Sequence, residues 1–302
     1  MVANPGSDGS NHRPLLAWVL LCTLAVVWGS SFILMKLSLQ IFTSEQVAAG
    51  RIMLAWLFFL PLIGYQARQP AVRETVRSRW VYLLIAGLLG NLLPAFLFAI
   101  AGAHLNSSLA GALNSLSPLF TLLIGAAFFG GSIRARQLTG VLLGLAGSVL
   151  LIFFSATGAF SVNGYALLIA LATLCYGLNI NLIGKYLSHL PPLVSSGWIF
   201  ALIGPIALAA LLLTPYNPAI WQAEHRWSLL ALLVLGVFGS GVMTVLFNRV
   251  VQLTSPVFAA SVTYLMPIVS LGWGFVAGEI IYLPQYIGMG ICLLGVWLSN
   301  RR

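Results

Sequence analysis

Charge is what this sequence has least of. Of its 302 residues 6% are Asp, Glu, Lys or Arg, while 60% are hydrophobic. Soluble domains carry about 25% charged residues. So few charges cannot keep the surface of a soluble fold wet, and that class is excluded. A bilayer removes the difficulty, because hydrocarbon solvates apolar side chains. Cysteine is scarce too. Cys22, Cys175 and Cys292 all lie inside apolar runs and none forms a CxxC pair. They read as small packing residues, with no disulfide framework or metal set. HExxH, Gly-x-Ser-x-Gly and phosphate-loop motifs are missing, and the apolar runs hold almost no acids or histidines. An intramembrane enzyme needs such groups, so none is expected, and no metal or cofactor is implied. No nucleotide-binding domain is present to drive a primary pump. A channel lacks its filter loop or pore ring.

What fills the chain instead is a series of long apolar runs. A helix needs roughly 20 apolar residues to cross about 30 Å of hydrocarbon. Ten such runs are expected, at 15–39, 46–66, 80–101, 107–129, 138–154, 164–187, 193–214, 228–252, 256–277 and 284–300. The breaks are short and carry turn chemistry, as at Pro191-Pro192 and from Thr214 to Pro218. Polar residues 1–14 read as a disordered cytoplasmic tail. The run from Leu15 is too long for a signal peptide and lacks its small-residue cleavage site. The fold class is therefore an all-α polytopic membrane protein.

The net charge of +9 is not gathered into a basic face, so no nucleic-acid partner is expected. The basic residues sit between apolar runs, as topology signals do. With the N-terminus in the cytoplasm, Arg13, Arg68, Arg73, Arg77, Arg79, Arg134, Arg136, Lys185, Arg249, Arg301 and Arg302 all fall on that side. Arg226 falls on the other, and Lys36 and Arg51 lie near outer span ends. Both termini are expected in the cytoplasm.

An internal repeat organises the chain. Gly87, Gly90, Phe98 and Pro118 recur as Gly236, Gly239, Phe247 and Pro267, at a separation of 149. Gln137, Gly140 and Gly147 recur as Gln285, Gly288 and Gly295, and Trp28-Gly29 as Tyr176-Gly177, at 148. Two five-helix units are expected, at 15–154 and 155–302. Five is odd, so the second copy must run through the membrane opposite to the first. Inverted repeats of this kind suit alternating access.

Trp28-Gly29-Ser30-Ser31-Phe32, Lys36, Arg51, Pro267, the Gly278-Glu279 pair, Gly288 and Gly295 carry a family likeness. In order and spacing the chain resembles the EamA type of the drug/metabolite transporter superfamily over about residues 15–300. The resemblance implies a ten-helix secondary transporter, and the basic chain without eukaryotic sorting signals is expected in the cytoplasmic (inner) membrane of a bacterium. The resemblance also implies a central cavity between both halves and, commonly, export of amino acids or related metabolites. One departure stands out: the first-half counterpart of Gly278-Glu279 is Gly130-Gly131. A mechanism needing both acids does not carry over.

Candidate site residues are polar or aromatic groups well inside spans. For the substrate cavity these are Trp28, Asn91, Phe98, Asn114, Ser117, Tyr176, Asn179 and Tyr264. Helix–helix hydrogen bonding is the competing reading for the amides, Asn181 included. For a gate or vestibule the candidates are Lys36, Arg51, Pro118, Pro267 and Glu279. Lys36 and Arg51 either snorkel to headgroups or attract anions. Glu279 either caps or pairs, or couples protons. The two prolines bend their helices, as static kinks or as hinges. His104 reads as a solvated interfacial residue. The expected partners are a small-molecule substrate and the lipid bilayer. A channel, or a sensor or assembly protein without flux, is the alternative to a transporter.

Overall fold

The structure is a computed structural model and describes residues 12–105, 110, 113–153, 164–215, 218, 222–276 and 282–300. Among these there is no strand. Ten helices follow one another: α1 (His12–Ser38), α2 (Ser44–Ala67), α3 (Pro70–His104), α4 (Ser117–Phe128), α5 (Ala135–Phe153), α6 (Ala166–Leu187), α7 (Pro192–Leu212), α8 (Arg226–Leu253), α9 (Pro256–Ala260 with Val262–Val276) and α10 (Leu283–Asn300). Six of them, α1, α2, α3, α6, α7 and α8, are long and apolar enough to cross a membrane. The other four contain shorter apolar helices.

Local sequence starts these helices. Thr43 caps α2 in a reciprocal box, its Oγ1 accepting from Gln46 N at 3.3 Å while Gln46 Oε1 accepts from Thr43 N at 3.0 Å. Prolines stand in the first turns of α3, α4, α7 and α9, where no amide donor is missed. Some expected boundaries shift. Helix α3 begins at Pro70 rather than 80, because Arg73, Glu74, Arg77 and Arg79 are good helix formers beyond the apolar run. Helix α4 begins at Ser117 after a turn at Ser115 and Leu116, so Pro118 opens a helix and does not bend one. Helix α1 likewise starts at His12, inside the expected tail.

Polarity is arranged inside out. Leu57, Phe58, Leu142, Leu167, Leu171 and Leu293 face outward, while Asn114, Thr121, Asn181, Ser196 and Asn248 are buried. This is the distribution a bilayer requires, since lipid tails satisfy the first set and only protein partners satisfy the second. The chain is an all-α polytopic membrane protein.

The helix pairings map onto themselves when the halves are exchanged. Helix α2 packs on α7 and α5 on α10; α4 meets α6 as α9 meets α1, and α3 meets α6 as α8 meets α1. The α5–α10 contact is the most extensive of all. It also fixes direction. A Cβ at Gly140 would sit 2.5 Å from Ser299 N and 2.8 Å from Gly295 O. One at Gly147 would sit 2.6 Å from Cys292 N and 2.8 Å from Gly288 O. Ascending α5 therefore descends α10: equivalent helices run antiparallel, and Gly140 meets the counterpart of Gly147 while Gly147 meets the counterpart of Gly140. The two halves are inverted copies about a pseudo-two-fold axis. Only glycine lets the two backbones approach this closely.

Candidate functional site: a central cavity between the halves

A cavity with about 150 Å³ open to water-sized molecules lies at mid-length between the halves. Its walls come from both copies: α1, α2, α3 and the start of α4 on one side, α6, α7, α8 and α9 on the other. Two π-helical turns open the backbone there, Leu88–Leu92 in α3 and Leu235–Val242 in α8. They overlap under the repeat, and each leaves backbone carbonyls out of the regular ladder. One such carbonyl, Gly239 O, accepts a 2.8 Å hydrogen bond from Trp28 Nε1.

Aromatic rings frame the cavity in two related pairs. Trp28 on α1 tilts against Phe247 on α8 with centroids 5.3 Å apart. Tyr176 on α6 stacks with Phe98 on α3 at 6.1 Å. The pairs exchange under the repeat, since Trp28 matches Tyr176 and Phe247 matches Phe98. Between them lie polar groups. Asn91 Oδ1 accepts from Thr244 Oγ1 at 3.3 Å, and Arg51 Nε donates to Ser240 Oγ at 2.8 Å. Asn114 donates weakly to Met266 Sδ at 3.8 Å, and Ser117 Oγ donates to Asn114 O at 2.8 Å. Asn248 Nδ2 donates to Ser196 Oγ at 3.0 Å. The carboxamide oxygens of Asn179 and Asn248 are buried and have no partner among the described residues.

Seven of the eight residues expected on a cavity wall are there: Trp28, Asn91, Phe98, Asn114, Ser117, Tyr176 and Asn179. Tyr264 is not. Its ring is fully buried against Gly144, and its hydroxyl donates to Val141 O at 2.9 Å. A side chain that packs across the α5–α9 contact is turned away from the cavity. Asn181 is helix glue, its Nδ2 donating to Thr121 O and Gly177 O, each at 2.8 Å.

Among the gate candidates, Arg51 lines the cavity and Lys36 is exposed in the last turn of α1. Pro267 is buried inside α9, six residues past the break at Ser261, and Pro118 is buried in the first turn of α4. The two equivalent prolines thus meet different backbones. Glu279 lies outside the described residues. Its first-half counterpart forms a helix stop: Gly130 has φ +75°, and Gly131 N folds back to donate to Gly125 O at 2.9 Å. His104 stacks on Tyr165 with centroids 4.0 Å apart.

Ser240, Thr244 and Asn248 on α8 were not singled out from the sequence. Ser240 is the repeat counterpart of Asn91, at the separation of 149. Carrying Asn91 across the repeat finds it. Thr244 and Asn248 match Ala95 and Ala99, so no such signal leads to them.

Comparison with known proteins follows the same two-part division. The model of the EamA-like transporter family matches residues 15–153 and again 163–301. A WAT1-related chloroplastic protein of Arabidopsis thaliana is 26% identical over 98% of this chain and 71% of its own length. The uncharacterized inner membrane transporter YedA of Escherichia coli is 23% identical, over 92% of this chain and 88% of its own. A probable amino-acid metabolite efflux pump of Salmonella typhimurium is 26% identical, over 91% of this chain and 92% of its own. A solved crystal structure superposes with a TM-score of 0.72 at 19% identity, covering 96% of each chain. That likeness shows the fold.

Proposed function

This chain belongs to the EamA-like transporter family, and on that premise we propose that it is a secondary transporter that moves small organic metabolites across the inner membrane by alternating access. Substrates are amino acids or related amphipathic solutes, and the direction is outward. Both termini lie in the cytoplasm, and the two five-helix units, 15–154 and 155–302, are oppositely oriented across the bilayer. The relative named as an amino-acid metabolite efflux pump supports both substrate class and direction. The gathering of basic residues on one side supports the orientation.

One observation carries the proposal: a cavity lined by rings and amides, two of whose oxygens have no partner among the described residues, sits where the inverted halves meet. An apolar wall with a few convergent polar groups is what a small-solute site needs. If the halves exchange shapes, that site faces the two sides in turn. The α5–α10 seam, closed by backbone contact, serves as the fixed axis. The remaining helices rock around it, with the π-helical turns of α3 and α8 as the yielding walls. No catalysis is assigned.

Counterflow in proteoliposomes tests the proposal. Vesicles preloaded with pooled unlabelled amino acids are given labelled ones singly. The expected result is saturable uptake that Trp28→Ala or Asn114→Ala abolishes while the protein stays folded. Uptake of no amino acid removes the preferred substrate class; uptake unaffected by both substitutions removes the cavity.

A further inference from the structure

The cavity is chemically lopsided although its frame is symmetric. The aromatic pairs exchange across the repeat, but Arg51 has no charged counterpart, since the matching stretch of α7 reads Ile199-Phe200. Among the described residues no acidic side chain lines the cavity or pairs with Arg51. Its Nε donates to Ser240 Oγ at 2.8 Å, and Ser240 Oγ donates onward to Leu235 O at 3.3 Å. A guanidinium has five N–H donors in a fork that matches a carboxylate. A cation held within a membrane domain without an anion is costly, and such residues mark ligand paths.

The rest of the wall offers acceptors. The carboxamide oxygens of Asn179, 5% exposed, and Asn248, 1% exposed, have no partner among the described residues. A buried acceptor left unpaired is destabilising, which suits a donor supplied by a ligand. These acceptors are neutral. An ammonium placed there would sit in the same low-dielectric space as the guanidinium, with no carboxylate to offset it. A hydroxyl or amide N–H meets the acceptors without that repulsion.

We propose that Arg51 is the anion subsite of this cavity, and that the transported solute is a net-negative monocarboxylate. It carries a neutral hydrogen-bond donor near the carboxylate and an apolar or aromatic body: an α-hydroxy acid or N-acylated acid rather than a zwitterion. The carboxylate meets Arg51, the donor meets Asn179 and Asn248, and the body lies between Trp28–Phe247 and Phe98–Tyr176. This rests on the transporter reading and, within its class of amino acids and related amphipathic solutes, favours the related acids over the amino acids themselves. It also supplies a driving force. Each cycle carries one negative charge outward, and an inside-negative potential favours that by about 50-fold in concentration per 100 mV. Export then needs no coupling carboxylate.

Three probes share one body and differ in charge: phenyllactate, phenylalanine and phenylalaninamide with its amine protonated. Binding to the purified full-length protein is read by tryptophan fluorescence and by thermal shift. Phenyllactate should bind about ten-fold tighter than either of the others, Arg51→Gln should erase that preference, and Arg51→Lys should keep part of it. The wild-type comparison stands alone if a variant does not fold. Phenylalanine binding equally or more tightly, no probe binding at all, or a preference that survives Arg51→Gln overturns the subsite. Liposomes with an imposed potential supply the separate test of transport. Inside-positive vesicles should accumulate phenyllactate, and a rate indifferent to the potential overturns the driving force. Binding with the expected preference but no flux refutes the transporter reading and leaves the subsite in place.

Discussion

The α5–α10 seam and the cavity wall are products of the same two-fold relation, and they are built in opposite ways. At the seam, equivalent glycines let two backbones touch, and Gly140 and Gly147 each oppose the other's counterpart. Nothing there can move without opening a void or a clash. At the wall, the equivalent positions are π-helical turns with rings and amides, and two carboxamide oxygens are left without partners. A close-packed seam suits an axis, and a loosely satisfied wall suits a site. Symmetry alone therefore does not assign function; what matters is how each symmetric contact is satisfied.

The largest effect is expected where the seam is broken. Gly147→Leu drives a side chain into Cys292 N, 2.6 Å from where its Cβ would stand. Overpacking costs about 1–3 kcal/mol and more where backbone is the obstacle. Size-exclusion and thermal-melt measurements should show loss of the monodisperse protein or a sharp fall in Tm. Asn181→Ala comes next. It removes two 2.8 Å hydrogen bonds that tie α6 to α4 and to its own preceding turn, at a cost of about 1 kcal/mol. Stability should fall modestly while substrate affinity holds.

Trp28→Phe keeps the ring against Phe247 but removes the 2.8 Å donor to Gly239 O. One backbone carbonyl at the π-helical turn then loses its partner, a penalty of about 1 kcal/mol. The transport rate should change several-fold with little change in Tm, the reverse of the seam variants. The smallest effect sharpens the comparison most. Ser148 Oγ lies 3.5 Å from Cys292 Sγ across the seam, so Ser148→Cys places two thiols close enough to join once oxidised. With Cys22 and Cys175 replaced, the cross-linked protein should transport like the reduced one. Loss of flux on oxidation would mean that the seam moves.

Much of this was legible in the sequence because membrane helices announce themselves by length and apolarity, and inverted copies by spacing. Gly140, Gly147, Gly288 and Gly295 were visible as a repeat, and an odd count of spans implied that the two copies run in opposite directions, but not that these glycines meet. Trp28 and Tyr176 were visible as paired aromatics away from the interfaces. What periodicity could not supply was the direction a side chain faces. Tyr264 and Thr263 are neighbours beside the same proline, yet Thr263 lines the cavity and Tyr264 packs on Gly144. Pro118 and Pro267 align perfectly in sequence, but the turn at Ser115 and Leu116 leaves the first at a helix start and the second inside one. Helix continuity there depends on tertiary packing, which overrides local propensity. Thr244 and Asn248 stayed hidden because their counterparts, Ala95 and Ala99, are alanines, so the polarity of these two positions is not repeated in α3.

Ser31 lies on the cavity wall beside Trp28's helix turn, its Oγ donating to Val27 O at 2.9 Å within α1. Replacing it by cysteine in a protein without Cys22, Cys175 and Cys292 gives a reporter of access that needs no known substrate. The reporter is treated with a membrane-impermeant maleimide from one face of sealed, oriented vesicles, and in a second sample from the other. Alternating access at a central cavity predicts labelling from both faces. Labelling from one face alone, or from neither, would contradict it.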